Sequence, residues 1–357
     1  MPSHLAINHL TIDSFPQLDM IREIFGLDAP RIRHLPWGHG AQLLVEDGHD
    51  AWILKRVRNP RPADQLEQIL QAVRAVGAAA AGPLIPELRG TREGRVLYSS
   101  TQGHFYLMRK VSGRRPSFKR SGDTLQVLQA LARFHAASRR AAPDLAAGLG
   151  LAPSVDLLAF TEARAAAMRR LNRRVRRGHA AFLTPLGRWA AARHEPARRL
   201  ARRAREFCRR TGREASAEPA GGRLACPILL AHGDTHENNF LLDGDGAWLL
   251  DLESCTPRPV VLDLLVPLHT FAQANQWPAD TLLDLVAQYE AIRPLEPAER
   301  ILLGSQLITP RLWLRAMHSL VKRNGRFKWS TARALWRASR AMKPHRRFAR
   351  ALFDHWP

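Results

Sequence analysis

Cysteine is scarce. Cys208, Cys226 and Cys255 are the only three in 357 residues, and no two stand in a CxxC spacing. That spacing offers neither a disulfide framework nor a zinc ribbon, and it fits a reducing cytoplasm. Long apolar runs are also missing: none approaches the ~18 residues a membrane-spanning helix needs. The Met1-Pro2-Ser3-His4-Leu5 start lacks the basic region and apolar core of a signal peptide. A cytoplasmic protein without a membrane span is expected. No internal repeat is present, and lysine is rare, with 6 Lys against 48 Arg. GC-rich coding produces such a bias.

Apolar residues make up 45% of the chain and charged residues 24%, enough to build a sizeable core and too apolar for disorder. The length suits two or three domains or one large two-lobed unit. The net charge of +22 is unevenly spread. Residues 161–215 carry 17 Lys+Arg and 4 Asp+Glu, and residues 311–350 carry 13 Lys+Arg and no acid. Residues 225–300 reverse the sign, with 12 acids and 3 bases. Acids gathered in one segment point to cation binding there.

Residues 1–110 read as a strand-rich lobe with one helix. A Trp37-Gly38-His39-Gly40 turn precedes an apolar stretch at Ala41–Val45, and a second strand runs Ala51–Val57. Leu66, Ile69, Leu70 and Val73 recur at i, i+3, i+4, i+7 and predict a helix. Short strands are expected around Arg95–Tyr98 and Gly103–Lys110. From about residue 123 the period becomes helical, with Leu125, Leu128, Leu131 and His135 on one stripe. Two or three helices with basic outer faces are expected over 154–215. Residues 226–253 return to strands, and the chain beyond about 260 reads as helical. Trp313, Trp329 and Trp336 are expected to pack the last helices.

The chemistry concentrates in His232-Gly233-Asp234-Thr235-His236-Glu237-Asn238-Asn239 and, after a hairpin, in Asp251-Leu252-Glu253. Phe240–Leu242 and Ala247–Leu250 read as two strands joined at Asp243-Gly244-Asp245-Gly246, whose glycines permit positive φ. Closing that hairpin sets Asn239 beside Asp251, with Asp234 one loop away. Two carboxylates and an amide oxygen then converge, which suits a hard cation such as Mg²⁺ carrying a triphosphate.

His-Gly-Asp-x-His-x-x-Asn followed by Asp-x-Glu resembles the signature of the aminoglycoside phosphotransferase and choline kinase group. The resemblance implies an α+β, two-lobed, protein-kinase-like fold: a small antiparallel-sheet N-lobe over 1–110 that holds nucleotide, and a larger, mainly helical catalytic and substrate-binding C-lobe over 111–357. It implies an ATP- and Mg²⁺-dependent kinase that phosphorylates a hydroxyl of a small molecule. Asp234 matches the catalytic Asp, Asn239 and Asp251 match the metal ligands, and Glu253 matches the acid two residues on. Asp263, in Pro259-Val260-Val261-Leu262-Asp263-Leu264, matches a residue that braces the catalytic loop, with Arg258 standing where the family has Asp. Lys55 matches the phosphate-contacting lysine, and Glu67 on the next helix is placed to pair with it, with Asp64 also near. Gly38 and Gly40 fall at the glycine-bearing turn. Tyr106–Arg114, including Met108, is similar to the inter-lobe linker whose backbone meets adenine. Arg133–Ser138, Glu299-Arg300 and the helix near Arg311–Arg315 resemble the spore-coat-associated (CotS-type) branch most closely.

Other readings are weaker. His232 and His236 stand four apart, but the His-Glu-x-x-His order of a helical zinc site is absent. His232 reads instead as a structural histidine bonding loop backbone, with His236 supporting the same loop. Asp-Leu-Glu in place of Asp-Phe-Gly, and no Ala-Pro-Glu, disfavour a protein-serine kinase. The basic flanks read as solvated helix faces; contact with an anionic polymer or surface, and substrate capture, stay open. No nucleic-acid-binding motif accompanies them, so nucleic acid is not an expected partner. The alternative to an enzyme is a kinase-fold structural or interaction protein that binds an anionic partner through these helices.

Overall fold

The runs that read as strands are apolar on both faces because the sheet they form is covered on both. In the computed structural model, which describes residues 16–355 other than 17, 29, 35–41, 59–60, 81, 83, 142–153, 178–179, 217–223 and 245, the chain starts with helix α1 (Leu18–Phe25) and strands β1 (Arg31–His34), β2 (Gln42–Asp47) and β3 (Asp50–Arg56). Gly48, at φ +62°, closes the β2–β3 turn. Helix α2 (Ala63–Ala79) and strands β4 (Leu88–Arg89), β5 (Tyr98–Ser100) and β6 (Gly103–Arg109) follow. The antiparallel sheet runs β1-β2-β3-β6-β4, with β5 on β6. Successive side chains alternate across it. Leu43, Val45, Trp52, Leu54, Phe105 and Leu107 meet Ile21 and Phe25 of α1. Leu44, Ile53 and Met108 belong to the opposite cluster with Leu66, Ile69, Leu70 and Val73 of α2. The α2 periodicity was therefore legible, whereas α1, β1 and β4 carry too short a pattern to read.

The helical part is built on α3 (Ser121–Arg140), whose Leu128, Leu131, Phe134 and His135 are buried. Strand β7 (Ser154–Asp156) leads into α4 (Leu157–Arg176), α5 (Pro185–Ala192) and α6 (His194–Ser216), the three helices of the arginine-rich segment. Asp156 caps α4 by accepting from the Ala159 amide, and Thr184 caps α5. Strands β8 (Ala225–Pro227) and β9 (Leu229–Ala231) lead into the loop that carries Asp234, and the hairpin β10 (Phe240–Asp243) and β11 (Gly246–Leu249) leaves it. After β12 (Thr256–Arg258) come α7 (Leu265–Ala274), α8 (Ala279–Glu290), α9 (Pro297–Ile308), α10 (Arg311–Lys322) and α11 (Trp329–His355). The two-lobed α+β architecture is as expected. None of the helices described is long and apolar enough to cross a membrane.

Of the three late tryptophans, only Trp313 packs inside. Trp329 and Trp336 are 76% and 50% exposed, so their expected burial is corrected. Each rests against a surface partner instead, Phe327 for Trp329 and Arg340 for Trp336.

Imidazoles take part in the core of the last helices. His345 stacks on Trp277 at 3.6 Å and lies 2.8 Å from the Leu307 carbonyl, to which its Nε2 donates. Burial pushes its pKa down to about 4. The unfolded chain takes up a proton there near pH ~6.5, while the folded one resists until about pH 4. Its stabilising effect is therefore complete above pH ~6.5 and declines as the pH falls toward the folded value. Urea denaturation midpoints should drop across that window, and the drop should be shallower in His345→Gln.

Candidate active site

β9 is fully buried and paired to β12, so its end fixes where His232 and Gly233 begin the loop. Gly233 has φ +90°, and a Cβ there would stand 2.0 Å from the Ser254 carbonyl oxygen, so this position requires glycine. The loop is then tied to one carboxylate. Asp263 accepts from the His232 amide at 2.6 Å and the Gly233 amide at 3.1 Å, and its own carbonyl accepts from Thr235 Oγ1 at 2.7 Å. His135 Nε2 lies 3.1 Å away, and Arg258 forms an ion pair with it.

Burial alone would favour the neutral acid at Asp263. The His135 hydrogen bond and the Arg258 charge outweigh it and hold the carboxyl far below the usual range. An ionised carboxylate only accepts, and burial keeps His135 neutral. His135 therefore donates through Nε2–H and accepts at Nδ1 from the Tyr289 hydroxyl, 2.9 Å away. Arg258 serves as a counter-charge.

His232 is fully buried, and burial pushes its pKa down. Its Nε2–H donates to the Leu250 carbonyl at 2.7 Å, and its ring stacks on Phe240. The hairpin ladder extends one step past Phe240↔Leu249, with the Leu250 amide donating to the Asn239 carbonyl at 2.9 Å. Asn239 thus reaches the strand end that carries Asp251. Its Nδ2 donates to the Asp234 carbonyl at 2.8 Å and to Oδ2 at 3.1 Å, which leaves the amide oxygen for a cation. Asp234 Oδ1 faces His236 Nε2 at 2.8 Å, with both side chains about half exposed. Glu237 accepts from the Phe118 amide at 2.6 Å, which ties the loop to the segment after β6.

Asp251 occupies the left-handed region at φ 63°, ψ 44°. A non-glycine residue in that conformation stores strain of about 1–3 kcal/mol, typical of functional positions. Its Oδ2 accepts from Ser254 Oγ at 3.0 Å, and its Oδ1 pairs with Lys55. Burial would raise its pKa, but the Lys55 charge prevails and keeps it low. Lys55, only 6% exposed on β3, also donates to Glu253 Oε2 at 2.7 Å. The same oxygen accepts from the Tyr106 hydroxyl at 2.7 Å. Burial, then Glu253, pushes the Tyr106 pKa well up, so Tyr106 remains a donor.

Three expectations need correction or fall outside the description. Glu67 does not meet Lys55. Its carboxylate accepts from the Val96 and Leu97 amides at 3.0 and 2.7 Å and from Gln71, satisfying a turn before β5, while Lys55 finds its carboxylates at Asp251 and Glu253. Met108 falls in the strand expected over Gly103–Lys110, not in the linker that Tyr106–Arg114 resembles. It lies within β6, paired to Ile53 on one side and Leu88 on the other, and is buried. The chain leaves the sheet only after Arg109, and Arg114 then exchanges backbone hydrogen bonds with Leu242. Gly38 and Gly40 lie outside the described residues. Sequence reasoning missed Tyr106 as a partner of Glu253. It also missed Arg61, which donates to the Cys255 carbonyl at 2.7 Å. Neither has a local signal, because only strand pairing and lobe docking bring them there.

Residues 31–301 match the model of a family described as the phosphotransferase enzyme family. Among solved structures, the chain is similar to an aminoglycoside phosphotransferase from Alicyclobacillus acidocaldarius, at 17% identity and TM-score 0.71, covering 95% of this chain and 96% of that one. It is also similar to a microcompartment-associated aminopropanol kinase, at 16% identity and TM-score 0.52, with 94% and 96% covered. A spectinomycin phosphotransferase in complex with ADP and spectinomycin matches at 11% identity and TM-score 0.52, with 92% and 97% covered. At these identities the likeness concerns the fold. No curated protein matches the chain.

Asp263→Asn keeps the side-chain size but removes the charge on which His135, Arg258 and two loop amides converge. Breaking a buried charge group costs ~3–5 kcal/mol. Chemical denaturation should register a loss of that order, and a variant as stable as the parent would show that the charge at Asp263 is dispensable.

Proposed function

The chain belongs to the phosphotransferase enzyme family, and from that premise we propose that it moves the γ-phosphoryl group of ATP to a hydroxyl of a small molecule. One observation carries the reading. Lys55 from the sheet pairs with Asp251, Asn239 is bonded to Asp234, and the Leu250 amide, next to Asp251, donates to the Asn239 carbonyl, so the two pairs stand at one end of the hairpin. Those are the residue types that phosphoryl transfer needs for phosphate contact, acceptor activation and metal binding.

Asn239 and Asp251 offer an amide oxygen and a carboxylate, the sparse oxygen donor set that Mg²⁺ takes when nucleotide phosphates and water complete its shell. When bound, the ion neutralises charge on the phosphates. Lys55 would contact the phosphates, held at its post by Glu253. Asp234 would orient the acceptor hydroxyl and take its proton, with its own carboxylate positioned by Asn239 and His236. In this reading the sheet lobe holds the nucleotide and the helical lobe supplies catalysis and acceptor binding. Within the family, the Arg133–Ser138, Glu299-Arg300 and Arg311–Arg315 segments favour the spore-coat-associated branch.

General-base assistance contributes about 10²–10⁴-fold, so Asp234→Asn should lower kcat by that factor, or ~3–5 kcal/mol in barrier. Mg·ATP should still raise the melting temperature of this variant. Turnover equal to the parent against a panel of hydroxylated acceptors would remove Asp234 from the role. Failure of Mg·ATP to shift the parent's melting would remove the kinase reading as a whole.

A further inference from the structure

The sequence places arginines at helical spacing on two separate helices. Arg198, Arg202 and Arg205 fall at i, i+4, i+7 on α6, and Arg311 and Arg315 at i, i+4 on α10. In an isolated helix such stripes would simply be solvated. Here α6 packs on α9, α10 follows directly after α9, and Arg169 of α4 joins them. The six guanidinia line one cavity of about 380 Å³. That volume lies within the ~300–1,000 Å³ usual for small-molecule sites. Asn172, Gln306 and Thr309 add neutral hydrogen-bonding groups, and none of the residues lining it is acidic.

Two nearby carboxylates serve this cluster, and both are shared. Glu162 meets Arg169 and Arg209, each at 2.9 Å. Glu195 meets Arg198, Arg199 and Arg202 at 2.5, 3.2 and 3.4 Å. Hydrogen bonds from Arg169 and Arg198 hold these two carboxyls below their ordinary range. Among the described residues, no carboxylate stands within ion-pair distance of Arg205 or Arg315. A concave site with surplus fixed positive charge and forked donors matches closely spaced anionic oxygens, which Arg binds in a bidentate manner.

We propose that the cavity between α4, α6, α9 and α10 binds a small polyanion bearing several phosphate or carboxylate groups. The cavity shares no lining residue with the Lys55–Asp234–Asn239–Asp251 group, and the inference does not rest on the kinase reading. Its geometry distinguishes it from a flat polymer-binding face, because the stripes converge on a concave volume.

The test is isothermal titration of the full chain at low salt with two probes, fructose 1,6-bisphosphate and citrate, using fructose as the uncharged control. At least one probe should bind one to one, and the pair identifies phosphate or carboxylate as the preferred group. Binding should weaken with added salt. Arg205→Gln with Arg315→Gln should weaken it about ten-fold or more, and the double Lys variant should fall between, since it keeps charge and loses the fork. Arg315 is exposed and Arg205 only half-buried, so the fold should survive both changes. An unchanged thermal shift with Mg·ATP checks that and leaves the nucleotide reading separately testable. The proposal fails if neither probe binds, if fructose binds equally well, or if the double Gln variant binds like the parent. It fails also if Lys55→Ala abolishes probe binding, which would locate the probe in the nucleotide cleft.

Discussion

The carboxylate of Asp263 is the fixed point of the second lobe. It is fully buried, which by itself favours protonation, yet its surroundings keep it charged. Two loop amides, an imidazole and a guanidinium supply the compensation. The amides and the imidazole also have a second attachment. The amides open the loop that carries Asp234, and His135 passes the network on to Tyr289. Arg293 then donates to Tyr289 Oη at 3.5 Å and to Glu299 at 2.8 Å, with both ends of that ion pair buried. The polar network therefore runs from the loop carrying Asp234 to the start of α9, and its members support one another's hydrogen bonds.

A second constraint joins the lobes. Lys55 comes from the sheet, and its two carboxylates come from the segment after β11. Tyr106, opposite Lys55 on β6, adds a hydroxyl to Glu253. A helix glutamate from α2 might have supplied the counter-charge, but Glu67 is committed to backbone amides within its own lobe. The lysine therefore gains its partners only when the lobes meet, so ordering of its side chain is coupled to docking of the second lobe.

The charge pattern acquires a spatial meaning along the same lines. The acidic segment 225–300 supplies the residues around the loop and hairpin, where carboxylates face Lys55, His135 and Arg258. The arginine-rich segments are helices, and part of their charge lines a shared, solvent-open cavity. Composition alone could not separate those two outcomes, because a stripe at i, i+4, i+7 looks the same whichever surface it faces.

What the sequence determined by itself was local. The His232–Glu253 block could be read because its geometry is carried by a short hairpin, in which the ladder and the turn glycine bring Asn239 to Asp251. The α2 and α3 stripes were legible because helical burial has a short period. Tertiary structure alone decided the partner of Lys55, the counter-charge role of Arg258 and the convergence of arginines from three helices. Lys55 and Glu253 are 198 residues apart. Pairing at that range depends on how sheet, loop and helices pack, a choice made by burial of apolar faces across the whole chain, and no window of sequence contains it.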